Sequence, residues 1–244
     1  MLDSTSASNQ NQDENEQQVV ISGGPVLLNG VMSRLSGVTN MVVFPYDRMA
    51  GNENILSGLE TLARAFQQAG MGTLMVNLLT PEDEALDQLT GFFRENVEVL
   101  HQRVIGIANW LIEQAEPGSV SMGYVGAGVS GAAILAAAAA RPDAIHSIVT
   151  IAPRTDLVSS DLPQVVAPTL IIAGEQDTAA VDAGRKALGK LTSDTTLDIV
   201  RLAKEQGVTS RLEIIRGITN VFGNEQALQT VCQQAVDWIR QHPH

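Results

Sequence analysis

The segment Met122-Gly123-Tyr124-Val125-Gly126-Ala127-Gly128-Val129-Ser130-Gly131-Ala132 carries the strongest chemical signal in the sequence. An apolar run passes through small residues directly into an alanine-rich stretch, which is the layout of a nucleophile elbow. Small flanking residues let a strand turn sharply into a helix and present one side chain at the apex. Two registers are open. With Ser130 at the apex, Gly128-Val129-Ser130-Gly131-Ala132 is close to G-x-S-x-G and offers a hydroxyl for acyl transfer. With Gly128 at the apex, Gly126-Ala127-Gly128-Val129-Ser130 has no nucleophile. Gly126, Gly128 and Gly131 also match the spacing of a G-x-G-x-x-G phosphate turn, but the acidic partner expected about 20 residues further on is missing, because 148–151 is apolar. The same glycines would serve close helix–strand packing with no chemistry at all.

A second candidate is Ala167-Pro168-Thr169-Leu170-Ile171-Ile172-Ala173-Gly174-Glu175-Gln176-Asp177, a buried strand ending in a Gly-x-x-Asp loop. Asp177 lies 177 − 128 = 49 residues past Gly128, in the order nucleophile, acid, histidine that this kind of site keeps. An aspartate there equally suits the N-cap of a following helix. The histidine is expected after the last strand, where the sequence is Arg216-Gly217-Ile218-Thr219-Asn220-Val221-Phe222-Gly223. The four histidines are His101, within a long helical pattern, His146, at the start of a strand, and His242 and His244, at the chain's end. None is placed to reach a strand-end nucleophile. Without a general base, a serine hydroxyl is a poor nucleophile at neutral pH in either register.

The elements that must hold these residues alternate along the chain. Strands are expected at 19–22, 26–33, 41–44, 73–76, 120–125, 145–151, 168–173 and 212–215. The first two form a hairpin around Ser22-Gly23-Gly24-Pro25, with Asn29-Gly30 as a competing turn. Helices are expected at 55–69, from Pro81 onward, and at 93–114, 129–140, 179–188, 197–206 and 225–241, with Gly70 ending the first. The acidic run Glu82-Asp83-Glu84 fits a helix start better than a metal site. Strands alternating with helices give a mostly parallel, doubly wound α/β sheet of about eight strands with helices on both faces, and function then gathers at the carboxyl ends of the strands.

Composition excludes several classes. The chain has 244 residues, 44% hydrophobic and 17% charged, enough apolar material for one domain at 19–241. Residues 1–18 are polar, lack the basic and apolar blocks of a signal peptide, and fit a disordered acidic tail. A formal charge of −12 repels phosphate backbones and anionic membrane, so neither nucleic acid nor membrane is an expected partner. No run of 18 apolar residues exists to span a bilayer, and a cytoplasmic location is expected. The single cysteine, Cys232, permits no internal disulfide or zinc cluster and falls at core spacing, as do Trp110 and Trp238. No metal and no cofactor is implied.

Leu78-Leu79-Thr80-Pro81-Glu82, Thr90-Gly91, Trp110-Leu111, Gly123-Tyr124-x-Gly126-Ala127, Arg141-Pro142-Asp143 and the 167–177 segment together resemble the dienelactone-hydrolase-like branch of the α/β-hydrolases, over about 19–241 with extra sequence near 192–209. Some members of that branch are fused to phosphoribosyltransferase domains. The resemblance implies an α/β-hydrolase fold and a Ser–Asp–His triad. The family's Gly-Ala-Ser-Thr-Gly falls on Gly126-Ala127-Gly128-Val129-Ser130 and puts Gly128 at the nucleophile position. The acid falls on Asp177, the histidine on Asn220, and the His-Gly of the oxyanion loop on Tyr46-Asp47. A carboxylate there would repel a developing oxyanion. These substitutions imply a non-catalytic hydrolase-fold protein, binding a small molecule in a residual pocket lined by Tyr46, Asp47, Asp177 and Asn220 or docking on a protein partner. The rival is an ester or lactone hydrolase using Ser130 with Asp177 and a base from elsewhere.

Overall fold

The computed structural model describes residues 16–33, 40–49, 51–114, 121–193 and 209–243. The strands are β1 (Glu16–Ser22), β2 (Leu27–Ser33), β3 (Asn40–Tyr46), β4 (Gly72–Asn77), β5 (Ser121–Ala127), β6 (Ser147–Ile151), β7 (Thr169–Gly174) and β8 (Ser210–Ile215). They form one sheet in the order β1-β2-β4-β3-β5-β6-β7-β8. Pairing is antiparallel for β1–β2 and β2–β4 and parallel from β4 to β8. The helices are α1 (Glu53–Gln68), α2 (Pro81–Thr90), α3 (Phe92–Glu95), α4 (Val97–Gln114), α5 (Gly128–Ala140), α6 (Thr178–Leu191) and α7 (Glu225–Gln241), with 3-10 turns at Thr155–Val158, Leu162–Gln164 and Val221–Gly223. The doubly wound sheet with its N-terminal hairpin is the architecture the alternation of elements requires.

Each face of the sheet has its own core. Val43, Leu74, Tyr124 and Ile148 point one way and pack with Leu100, Val104 and Ile107 of α4 and Ile134 of α5. Val42, Phe44, Val125, Val149 and Ile172 point the other way, against Leu59, Leu62 and Phe66 of α1 and Val231 and Trp238 of α7. This is the period-2 alternation of strands covered on both sides. Helix α5 is apolar all round because its residues 129–138 are all buried. Among the described residues, no helix is long and apolar enough to cross a membrane.

Several boundaries differ from expectation for local reasons. Strand β1 starts at Glu16, three residues early, because Glu16, Gln17 and Gln18 pair with Ser33, Met32 and Val31 on an edge where polar side chains face water. The hairpin turns at Gly23-Gly24-Pro25, where Gly23 N donates to Val26 O and Gly24 holds φ +82°. Gly30 instead lies inside β2, where a Cβ would meet Met75 O at 2.9 Å. The helix expected at 93–114 is interrupted at Asn96, which adopts φ −108°, ψ 62° and caps the Phe92 carbonyl through its side chain. The expected helix at 197–206 lies outside the described residues, as do most of the expected N-terminal tail and Val120.

Gly106 decides how closely α4 meets the hairpin. A Cβ there would lie 2.8 Å from the Gly23 and Gly24 backbone, which has no flexible end to move aside. Gly106→Ala is expected to lower stability by about 1–3 kcal/mol through overpacking, measured by urea unfolding, and an unchanged midpoint would contradict this packing.

Candidate functional site

Strand β5 ends at Ala127 and α5 begins at Gly128, with no intervening loop. Gly128 carries the change of direction in the left-handed region at φ +54°, where side chains other than hydrogen are strained. A Cβ built on it meets nothing within 4 Å, so the apex faces open space. The flanking glycines make the turn possible. A Cβ at Gly126 would meet Ile134 Cδ1 at 2.5 Å and Gly131 N at 3.2 Å, and one at Gly131 would press on Pro153. The strand-to-helix elbow is therefore present, with a hydrogen at its apex.

Ser130 stands on the first turn of α5, 1% exposed. Its Oγ donates to Ala127 O at 2.9 Å and lies 3.4 Å from Ala127 N. The hydroxyl that one sequence register offered as a nucleophile is thus a clamp across the elbow. It satisfies backbone groups left over where the strand stops and the helix has not yet closed its own bonds.

Asp177 follows β7 and N-caps α6, its Oδ1 accepting from Ala180 N at 3.0 Å. Asn220 follows β8, is exposed, and accepts from Phe222 N at 2.9 Å to cap the last 3-10 turn. The two loops are joined by backbone and side-chain bonds: Gln176 N to Ile218 O, Gly217 N to Glu175 Oε2, and Thr219 Oγ1 to Gln176 Oε1. Gly174 permits this approach, because a Cβ there would lie 2.5 Å from Thr219 O. Phe222 then anchors the second loop on α1, where any side chain at Gly58 would run into its ring. The loops that carry an acid and a base in a triad are brought together here, holding a carboxylate and an amide.

Tyr46 ends β3, and Asp47 comes next. Strand β3 lies next to β5, with Val43 opposite Tyr124 at the last paired position, so the segment after β3 leaves the sheet at the same end as the elbow. Asp47 is 6% exposed. Its Oδ1 accepts from Asn52 Nδ2 at 2.5 Å, so Asn52 begins α1 without using its side chain as a cap. Burial pushes the Asp47 carboxyl above the usual carboxylate range, a rise that the Asn52 amide and the Met49 N–H oppose and that nearby Asp87 reinforces. Burial likewise raises the Tyr46 hydroxyl, against the pull of Arg48.

Two features of the mouth gave no sequence signal. Ala152, just past β6, is a non-glycine residue at φ +45°, a strain of about 1–2 kcal/mol. It leads into Arg154, whose backbone N–H donates to Gly128 O at 3.0 Å while its side chain bridges Asp156 and Glu95. Side-chain pairing with Arg154 holds the Asp156 carboxyl below its usual range.

The described histidines are all engaged elsewhere. His146 Nδ1 accepts from Met122 N at the start of β5, five residues from Ala127 or about 17 Å along the strand. His101 is buried on α4 with Nδ1 3.5 Å from Glu98. His242 stacks on Trp238 with ring centroids 4.2 Å apart. His244 lies outside the described residues. Among the described residues, no three His, Cys, Asp or Glu side chains converge to hold a metal ion. Cys232 is half-buried on α7, and burial raises its thiol, which lowers its reactivity.

No protein-family model matches the chain. Two curated proteins from strains of Mycobacterium tuberculosis, which carry provisional phosphoribosyl transferase names, are 28% identical over 228 residues. The match covers 93% of this chain but only 46% of theirs, so the chain spans about half the length of these relatives. The crystal structure of a dienelactone hydrolase from Anabaena variabilis superposes with a TM-score of 0.80 at 31% identity, covering 94% of this chain and 100% of that one. An α/β serine hydrolase without a lid from Xanthomonas campestris superposes at 0.65 with 15% identity, over 93% and 94% of the two chains, which shows the fold alone.

Two outcomes test this geometry. Ser130→Ala should cost about 1 kcal/mol of stability by removing the clamp, measured by urea unfolding, whereas a solvent-facing serine would show no cost. Asp47 has a folded pKa above its unfolded value of about 3.9, so its ionisation opposes folding. The penalty is absent below the unfolded pKa and grows as pH rises through the folded one. Asp47→Asn removes it, so the variant should gain stability relative to the native chain as pH is raised from roughly 3 to 7. A pH-independent difference would contradict the assignment.

Proposed function

Because the chain belongs to the dienelactone-hydrolase-like α/β-hydrolases, we propose that it uses their fold without their chemistry, as a scaffold that holds a small molecule at the carboxyl ends of its strands. The observation that carries this is the apex itself: Gly128 makes the elbow turn at φ +54° and presents only hydrogen to open space. Acyl transfer in this architecture needs a nucleophile at that point, a base to take its proton and donors for the oxyanion. The base position is Asn220, bonded to Phe222 N, and the oxyanion-loop position is Asp47, a buried carboxylate. Asp177 survives, but its Oδ1 caps a helix. The open space at Gly128, beside the loops that carry Tyr46, Asp177 and Asn220, is where such a ligand would sit.

A protein partner is a second use of the same scaffold. The Mycobacterium tuberculosis relatives are named as phosphoribosyl transferases and are about twice the length of the matched region, so there a unit of this kind shares its chain with other sequence. A phosphoribosyl transferase unit is the partner this points to. The charge of −12 disfavours nucleic acid and anionic membrane, and fits a cytoplasmic protein.

Turnover of 4-nitrophenyl acetate tests the reading. The native chain and Ser130→Ala should both stay at the buffer rate. The combined variant Gly128→Ser with Asn220→His, Tyr46→His and Asp47→Gly should exceed it by at least about ten-fold, a small part of the ~10²–10⁴ that a positioned base contributes. Native turnover lost in Ser130→Ala would restore the enzyme reading with Ser130 and Asp177.

A further inference from the structure

Away from the strand ends, we propose that the groove between α1 and α7 binds a small molecule carrying phosphate or carboxylate groups. The groove has a volume of about 500 Å³ and is lined by Thr61, Arg64, Gln68, Gln229, Gln233 and Arg240, among others. That size lies within the range of about 300–1,000 Å³ typical of small-molecule sites. The inference does not depend on what happens at Gly128.

The argument is one of charge. With 27 acidic and 15 basic residues, a cation in this chain has an excess of carboxylates available. Arg94, Arg103, Arg141, Arg154, Arg185 and Arg211 each take one. Arg48, Arg64, Arg216 and Arg240 do not, among the described residues, and of these Arg64 and Arg240 line one groove. Arg64 Nη2 donates to Thr61 Oγ1 at 3.3 Å, and Arg240 Nη2 donates to Ala69 O at 2.8 Å. Carboxylates stand at helical reach of both: Glu60 is four residues before Arg64, and Asp237 is three before Arg240. Such spacings normally pair. Here Asp237 accepts instead from Gln233 Nε2 at 2.9 Å.

Two guanidinium groups from different helices therefore share one groove whose lining holds no acidic side chain. The neighbouring hollows differ. The one beside α6 places Lys186 and Lys190 with Asp156 and Asp182, and the one between α6 and β8 places Arg185 with Glu175 and Asp182. Guanidinium forks match carboxylate and phosphate oxygens in pairs, and the glutamine amides supply further donors. Bonding of Arg240 to the Ala69 carbonyl directs its guanidinium across the groove toward the end of α1, on the side where Arg64 stands.

Isothermal titration calorimetry at low ionic strength tests the site with inorganic pyrophosphate, ribose 5-phosphate and citrate. At least one should bind, more weakly as salt is raised. Binding of the two phosphates without citrate assigns a phosphorylated ligand, and binding of citrate alone assigns a polycarboxylate. Arg64→Gln and Arg240→Gln should each weaken binding about ten-fold, as expected for loss of one charge-assisted pair. Arg64→Glu, which leaves the Arg240 anchor intact, should abolish it, and Arg185→Gln should leave it unchanged. Failure of all three probes to bind the native chain, or binding that survives Arg64→Glu, would overturn the proposal.

Discussion

Everything at the mouth of this sheet depends on how tightly β5 turns into α5. The turn has no loop to spread its curvature, so one residue must take a positive φ, and Gly128 takes it. Its neighbours are constrained by the same closeness. A side chain at Gly126 would crowd Ile134 and Gly131, and one at Gly131 would sit tightly against Pro153. The Ser130 hydroxyl then closes the strand end onto the helix through Ala127. An elbow of this kind normally has a chemical purpose, yet none of these constraints requires a nucleophile. They require small residues and one left-handed backbone, and the sequence supplies both.

The same separation of frame from chemistry runs through the other loops. Gly174 lets the loop after β8 lie against the loop after β7, and Phe222 fixes it to α1 at Gly58. The groups held there are those of local structure: Asp177 caps α6 and Asn220 caps a 3-10 turn. Asp47 organises the loop that leads into α1 through Asn52. Each of these three side chains has a hydrogen-bond partner within a few residues of itself. Fold and activity are separable properties, and the proposed scaffold role rests on that separation.

The sheet was legible because buried parallel strands are short apolar runs and their helices carry apolar stripes, both visible as periodicity. Residue patterns offered Gly128 and Asp177, and family likeness chose the Gly128 register and added Asn220 and the Tyr46–Asp47 pair. Residue patterns alone left the Ser130 and Gly128 registers open, because a serine that clamps an elbow and a serine that tops one have the same spacing. The interruption at Asn96 was invisible, since the apolar stripe continues across it. Ala152 and Arg154 gave no signal either. A positive φ at an alanine and a backbone bond to Gly128 O arise from how two loops meet, not from residue type. Arg64 and Arg240 are a similar case, because their helical spacing to Glu60 and Asp237 indicates ion pairs that do not form.

The central claim is that no serine hydroxyl occupies the apex of the elbow. Incubation with a fluorophosphonate, followed by mass spectrometry of the intact protein and its peptides, tests this directly. The native chain should carry no phosphonyl adduct, whereas Gly128→Ser in the Asn220→His background should gain one on the peptide that contains position 128. An adduct on Ser130 of the native chain would contradict the account.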